Sequence, residues 1–290
     1  MTFDPNSDIS KGRVSKRGRN AGIGVGAGAG GLVIIALLIQ AFTGVDLTGL
    51  LAGGTGTSGG GATSDESALS CTAQQANDDT ECRVQGAAAS LREYWPQHVK
   101  NATDPKIIIF EGQTNTGCGG ATSAVGPFYC PADQQIYLDT SFYDQLKSQF
   151  GSTTGPLAQL YVIGHEWGHH IQHITGITDG KDLRATGPSS DSVRLELQAD
   201  CFAGAWLGAA AQGDDRVLEP PTRQQIDDAL NAAATVGDDN IQEKTQGQAT
   251  PESWTHGSSA ARQKWFLTGY NGDPQSCNTF DVSAAQLGDS

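Results

Sequence analysis

The chain has 290 residues and a formal net charge of −14 at neutral pH. This length allows one sizeable domain with accessory segments. Residues 1–20 carry five basic and two acidic side chains, a net +3, which leaves −17 for the remainder. Because the body of the chain is acidic, its charge argues against nucleic acid as a partner.

The N-terminal region predicts a membrane anchor. Residues 1–20 are polar and basic, which is typical of a disordered tail. Residues 23–42 are uncharged and long enough to cross a bilayer as a helix, so we predict a transmembrane helix at 21–43. The positive-inside rule places the tail in the cytoplasm and the body outside, as a single-pass protein of the cell membrane. A cleaved signal peptide is the alternative, although no A-x-A site directly follows the run.

Two further features accompany this anchor. Gly22, Gly26 and Gly30 recur at four-residue spacing, which permits close packing of two membrane helices. A dimer through the span is therefore an open possibility, and a glycine-rich helix start is the simpler interpretation. Residues 44–67 are rich in Gly, Ser and Thr and have no apolar pattern, which is typical of a flexible linker. The folded domain is predicted at 68–290.

The domain begins with alternating signals for helices and strands, and we predict an α+β fold, mostly helical with a small antiparallel sheet. Two strands joined by a short turn indicate a hairpin, which is our candidate for an edge that pairs with an extended substrate. The predicted helices cover 68–77, 84–95, 140–149 and 222–236, and the predicted strands cover 106–110, 122–129 and 135–139.

A His-Glu-x-x-His motif lies in the apolar, helix-compatible stretch from Leu157 to His173. His165 and His169 are four residues apart and share one face of a helix, so both imidazoles can bind one zinc ion. Glu166 follows the first histidine, where its carboxylate can take a proton from an attacking water. His173 lies too far along a straight helix to share this metal, so we do not expect it to be a ligand.

A catalytic zinc site usually has three protein ligands, so a third must come from elsewhere. The continuation found in metzincins is absent, because Gln172 and Thr175 occupy its glycine and histidine positions. Glu196 and Asp200 are four apart on a second apolar helix, where two buried carboxylates need partners. We predict Glu196 as the third ligand and Asp200 as the partner of a ligand imidazole. A solvated acidic face is the alternative.

The chain contains an even number of cysteines, six, and an exported chain with six cysteines favours three disulfides. A cysteine-based zinc site has no support, because there is no C-x-x-C pair. Six cysteines allow fifteen pairings. Proximity along the chain suggests Cys71–Cys82 and Cys118–Cys130, which leaves Cys201–Cys277.

The His-Glu-x-x-His helix followed by Glu-x-x-Ala-Asp resembles the gluzincin peptidases, in particular the CAAX prenyl proteases and their bacterial heat-shock relatives. Residues 68–282 more closely resemble the putative neutral zinc metallopeptidase family of bacteria. The resemblance implies a zincin-like fold and a secreted-side zinc peptidase. Besides the two motif helices, the matching stretches are Cys118-Gly-Gly-Ala, Gly126-Pro-Phe-Tyr-Cys-Pro, Ile136-Tyr-Leu-Asp and Thr255-His-Gly-Ser-Ser.

In the prenyl-protease-type enzymes a histidine is followed six residues later by an arginine, and His256 and Arg262 match this spacing. The usual His-Pro is His-Gly in this chain. The resemblance implies that His256 donates a hydrogen bond to an oxyanion and that Arg262 supports it. The alternative is a helix-capping histidine and a surface arginine.

These motifs predict a zinc-dependent endopeptidase that uses one zinc ion per chain and acts on extracytoplasmic proteins or peptides. One alternative is a non-catalytic, membrane-anchored binding protein with a residual zinc site. Another is a cell-envelope interaction module whose acidic surface and linker carry the function. The presence of Glu166 favours the enzyme, because neither alternative needs a carboxylate next to a metal-bound water.

Overall fold

The structure is a computed structural model that describes residues 2–18, 66–213 and 216–288. The predicted span at 21–43, its glycine-based dimer contact and nearly all of the predicted linker lie outside the described residues. Among the helices within the described ranges, none combines the length and apolar character that crossing a membrane requires.

The described residues form an α+β fold, as predicted. The strands are β1 (Val14–Arg17), β2 (Glu66–Ala68), β3 (Lys106–Ile109), β4 (Gln113–Thr116), β5 (Gly119–Thr122), β6 (Phe128–Cys130) and β7 (Gln135–Leu138). The helices are α1 (Ala73–Asp78), α2 (Thr80–Tyr94), α3 (Phe142–Phe150), α4 (Pro156–Ile174), α5 (Asp191–Ala210), α6 (Arg223–Thr235), α7 (Asp238–Gln246), α8 (Ser259–Tyr270) and α9 (Ala284–Leu287).

The main sheet has the strand order β2-β1-β3-β7-β6 and is mixed, so the predicted antiparallel sheet is wrong in this respect. β1 and β7 both run parallel to β3, and only the outer strands β2 and β6 pair antiparallel with their neighbours. The continuous strand predicted at 122–129 is also wrong, because Thr122 ends β5 and Phe128 begins β6. Gly126 has a φ of +74°, which interrupts extended backbone between β5 and β6. β5 pairs with β4 in a separate ribbon.

The N-terminal segment is part of the folded domain, so the predicted disordered tail at 1–20 is wrong for residues 2–18. Phe3 is fully buried and packs against Gly86, where an added Cβ would lie 2.5 Å from the phenyl ring. The side-chain oxygen of Asn77 accepts hydrogen bonds from the backbone N–H groups of Thr2 (2.7 Å) and Phe3 (2.9 Å). β1 then lies between β2 and β3 in the sheet. The apolar side chains of residues 2–18 pack against residues that are distant in sequence.

Small residues hold α4, α5 and α8 close together. α4 packs against α5, and an added Cβ at Gly168 would lie only 3.1 Å from the Cα of Ala199. Close backbone approach of this kind requires glycine. α8 also packs against α5, where an added Cβ at Gly269 would lie 1.9 Å from the carbonyl oxygen of Cys201. The three helices can therefore bring short polar side chains into mutual contact.

The three predicted cysteine pairs are the three disulfides of the structure, and no described cysteine is free. Cys71–Cys82 joins the start of the domain to α2, and Cys118–Cys130 joins the β4–β5 ribbon to β6. Cys201–Cys277 ties the middle of α5 to the C-terminal segment. This last disulfide closes the longest loop of the three, so it fixes the C-terminal segment against the helical core.

Candidate metal centre

The His-Glu-x-x-His motif lies on α4, as predicted. The helix begins with Pro156 at its first turn, where the missing N–H costs no hydrogen bond. It ends at Ile174, and Gly176 follows with a φ of +73°. Most of its residues are buried, including His165 and Glu166. The motif is therefore held on a rigid, buried helix rather than on a loop.

The structure brings the three predicted metal ligands together. The Nε2 atoms of His165 and His169 are 3.1 Å apart. Glu196 on α5 places Oε2 at 3.2 Å from Nε2 of His165 and Oε1 at 3.4 Å from Nε2 of His169. Zinc bonds of about 2.0–2.1 Å put the ligand atoms of a tetrahedral site roughly 3.3 Å apart, so this donor set fits zinc.

The hydrogen bonds of the two histidines also fit a metal ion. His165 Nδ1 lies 2.8 Å from Oδ1 of Asp200, and His169 Nδ1 lies 2.9 Å from Oε1 of Gln172. Both partners are oxygen acceptors, so each Nδ1 carries the proton and each Nε2 carries a lone pair. An ionised carboxylate and two imidazole nitrogens that face one another in a buried site favour a cation between them.

Two carboxylates, Asp200 and Glu196, stabilise positive charge at the centre. Burial by itself would lower the pKa of His165, but Asp200 and Glu196 raise it to about 10. Burial would raise the pKa of Glu196, but His169, His256 and His165 hold it well below its ordinary value. Glu196 is therefore ionised and available as a ligand.

Asp200 is the centre of a buried hydrogen-bond network. Its Oδ1 accepts from the Tyr161 hydroxyl at 2.6 Å and from Nη2 of Arg262 at 3.0 Å, in addition to His165. Arg262 also donates to the Tyr161 hydroxyl at 3.1 Å and lies 3.7 Å from Glu196. The side chain of Asp200 is completely buried. Its charge is compensated by Arg262, so the network holds His165 in one orientation.

Arg262 is buried, so the surface arginine considered as an alternative is wrong. The expected support of His256 by Arg262 is also corrected, because the hydrogen bonds described for Arg262 go to Tyr161 and Asp200. Arg262 therefore positions the carboxylate behind a metal ligand rather than an oxyanion donor.

His256 is held by Asp238, which sequence reasoning did not identify. Asp238 Oδ2 accepts from three consecutive backbone N–H groups, those of Thr255 (2.8 Å), His256 (2.6 Å) and Gly257 (3.0 Å). Its Oδ1 lies 3.3 Å from Nδ1 of His256. Burial would lower the pKa of His256, but Glu196 and Asp238 raise it. Asp238 therefore fixes both the ring of His256 and the backbone around it.

Glu166 is buried next to the two histidine ligands. Burial raises its pKa, and the histidines oppose this shift. A backbone hydrogen bond from Tyr129 on β6 also lowers the pKa of Glu166. Because β6 is the last strand of the five-stranded sheet among the described residues, this contact places the edge of that sheet beside the carboxylate.

Two other histidines of α4 have different surroundings. His170 is completely buried, and its Nε2 donates to the carbonyl oxygen of Thr103 at 2.8 Å. Its Nδ1 accepts from the Tyr129 hydroxyl at 3.1 Å, so it connects α4 to β6. Burial lowers the pKa of His170 to about 4, so it is neutral. His173 lies against the Tyr129 ring and is not among the clustered donor atoms of the described residues, as expected.

The comparison with protein families agrees with this site. The family described as putative neutral zinc metallopeptidase matches residues 4–280. The chain belongs to that family. The match includes the N-terminal segment, which the resemblance found in the sequence did not. The donor set and the family together support zinc as the metal.

Relatives of this family member occur in distant bacteria. An uncharacterised protein of Mycobacterium tuberculosis is 48% identical over 223 residues, which cover 75% of each chain. The uncharacterised protein YpfJ of Escherichia coli K12 is 40% identical over 263 residues, which cover 87% of this chain and 86% of its own. No solved structure matches the chain.

Sequence reasoning identified Asp200 but missed three other residues that hold the histidines of the site, Tyr161, Gln172 and Asp238. Tyr161 is four residues before His165 and shares its helix face, so helical spacing could have identified it. Gln172 is three residues after His169 and could have been found in the same way. Asp238 gave no local signal, because it is eighteen residues away from His256 and meets it only in the fold.

Proposed function

We propose that the protein is a zinc-dependent peptidase that hydrolyses peptide bonds with a water molecule. The observation that carries this proposal is that Glu196 on α5 meets His165 and His169 on α4, the buried helix that also carries Glu166. A structural zinc site usually has four protein ligands, whereas a catalytic site has three and an open position. A metal site with three ligands beside a buried carboxylate supports hydrolysis.

Zinc, when bound, would lower the pKa of a water molecule to about 7 and polarise a carbonyl group. Glu166 takes a proton from the attacking water and delivers it to the leaving amine. Its burial favours this task, because a raised pKa makes the carboxylate a stronger base near neutral pH. The ligand carboxylate Glu196 stays ionised and does not compete for the proton.

His256 donates a hydrogen bond to the oxygen that becomes negative as the carbonyl is attacked. Its raised pKa supports a protonated ring, and protonation favours donation to an anion. Asp238 holds both the ring and the backbone on either side of it. Burial of the pair keeps the imidazole in place before the substrate arrives.

The substrate we propose is an extended peptide that pairs with β6. This strand is the last in the sheet, and its Tyr129 backbone reaches Glu166. An added strand would bring a peptide carbonyl beside the metal centre, where Glu166 can activate the attacking water. Three disulfides support an oxidising compartment, so the proposed substrates are extracytoplasmic proteins or peptides.

Removal of the metal tests this proposal. We expect the purified full-length protein to contain about one zinc per chain and to hydrolyse an unfolded protein such as casein or members of a peptide library. Treatment with 1,10-phenanthroline should abolish hydrolysis, and stoichiometric zinc should restore it.

Zinc content is measured by metal analysis and hydrolysis by the appearance of new peptide termini. A preparation that holds zinc but cleaves none of these peptides would instead favour the non-catalytic binding protein with a residual site. Hydrolysis that persists without metal would contradict the assignment of the centre.

A further inference from the structure

The two histidine ligands are oriented by different kinds of partner. His165 faces the carboxylate of Asp200, which can only accept a hydrogen bond. His169 faces the amide of Gln172, which can present either its oxygen or its nitrogen. If the nitrogen faced His169, Nδ1 would be an acceptor, Nε2 would carry the proton, and His169 could not bind a metal. The orientation of this amide therefore decides whether the second ligand functions.

The surroundings of Gln172 fix that orientation. Its Nε2 donates to the carbonyl oxygen of Leu195 at 2.7 Å and to Oε1 of Gln198 at 3.1 Å. A backbone carbonyl can only accept, so the nitrogen must face α5 and the oxygen must face His169. Gln172 is almost completely buried, which excludes water as an alternative partner for either atom.

Gln198 is itself oriented by a backbone carbonyl. Its Nε2 donates to the carbonyl oxygen of Cys277 at 2.9 Å, so its Oε1 faces Gln172. Leu195 and Gln198 are three residues apart and share the face of α5 that meets α4. Cys277 is bonded to Cys201 on α5, so the carbonyl that begins the series is covalently held to the same helix.

We infer that Gln172 and Gln198 are positioning residues that hold His169 in its metal-binding tautomer. They form a directional series of hydrogen bonds from the Cys277 carbonyl to the Nδ1–H of His169, which we call the amide chain. The inference rests on the proposed zinc site. Each amide in the chain donates towards Cys277 and accepts from the side of the ligand, so reversal of one amide would leave two acceptors or two donors facing each other.

The test uses full-length variants in which each glutamine becomes the similarly shaped methionine. Zinc dissociation constants are measured by competition with a chelator for the wild type, Gln172→Met, Gln198→Met and the double variant. We expect Gln172→Met to weaken zinc binding about 10–100-fold, the range found when outer-shell partners are removed. Gln198→Met should have a smaller effect. The double variant should match Gln172→Met, because Gln198 acts only through Gln172.

A spectroscopic measurement separates tautomer control from general stability. The ring nitrogens of ¹⁵N-labelled histidine are observed by NMR in the metal-free protein. The wild type should show His169 protonated at Nδ1, and Gln172→Met should show a mixture of tautomers. Gln85→Met is the matched control, because Gln85 is an equally buried glutamine that bonds the Ile9 carbonyl far from the centre. It should change neither the zinc affinity nor the His169 tautomer.

Unchanged zinc affinity in Gln172→Met would overturn the inference. So would an unchanged His169 tautomer, or a double variant whose loss equals the product of the two single losses. A wild type that fails to bind zinc would refute the proposed function instead. The tautomer measurement needs no metal, so it would still decide whether the amide chain orients His169.

Discussion

Replacement of Glu166 by glutamine should reduce peptide hydrolysis by at least about 10²–10⁴-fold, the usual contribution of a positioned general acid–base group. Glutamine has the same shape but cannot take a proton, so the attacking water would lose its base. Glu166 is not one of the three clustered metal donors of the described residues. Zinc content should therefore remain about one per chain. The measurement is the turnover of a fluorogenic peptide beside metal analysis of the same sample.

Glu243→Gln is a suitable control for this variant, because Glu243 is exposed on α7. It removes one carboxylate of the same type and should leave both turnover and zinc content unchanged. If Glu166→Gln retained wild-type turnover, another group would have to act as the base. A loss of zinc in that variant would mean that Glu166 supports the metal rather than the water.

Replacement of Glu196 by alanine should weaken zinc binding by at least about 100-fold. Structural zinc sites with four ligands bind with roughly 10–16 kcal/mol, so one ligand contributes on the order of 3 kcal/mol. The variant also removes the acceptor that lies between the two histidine Nε2 atoms. The measurement is the zinc dissociation constant of the full-length protein by chelator competition. Hydrolysis should fall with zinc occupancy and recover in part at high zinc concentration.

Glu219→Ala provides the comparison, because Glu219 is a partly exposed carboxylate that pairs with Arg216 away from the centre. Its removal should leave zinc affinity unchanged, since exposed ion pairs contribute little. Unchanged affinity in Glu196→Ala would transfer the role of third ligand to a different side chain. Equal losses in both variants would indicate general destabilisation instead.

Local patterns predicted the parts of the centre that lie within one helix. His165, Glu166 and His169 follow from helical spacing, and Glu196 with Asp200 follows from the cost of two carboxylates on an apolar helix. Two of the disulfides followed from proximity along the chain, and the third was the pair that remained. These features need no knowledge of how the helices pack.

Long-range contacts account for what the sequence could not predict. Asp238 approaches His256 only after α7 packs near α8, and Arg262 reaches Asp200 because small residues let α8 approach α5. β1 has few apolar residues, so its composition is typical of a solvated tail. It is stabilised by pairing with β2 and β3, which are distant in sequence, so no local pattern could predict it as a strand.

The position of β1 bears on which side of a membrane the N-terminus and the metal centre occupy. Arg17 pairs with Glu66, so residues 2–18 belong to the same folded body as the metal centre and must share its compartment. We therefore expect the N-terminus and the metal centre on the same side of a membrane, in contrast to the topology predicted from the sequence. Because the native cysteines are all in disulfides, a cysteine introduced at Ser10 or at Glu252 would be a single free thiol. On intact cells, an impermeant thiol reagent should label both positions or neither.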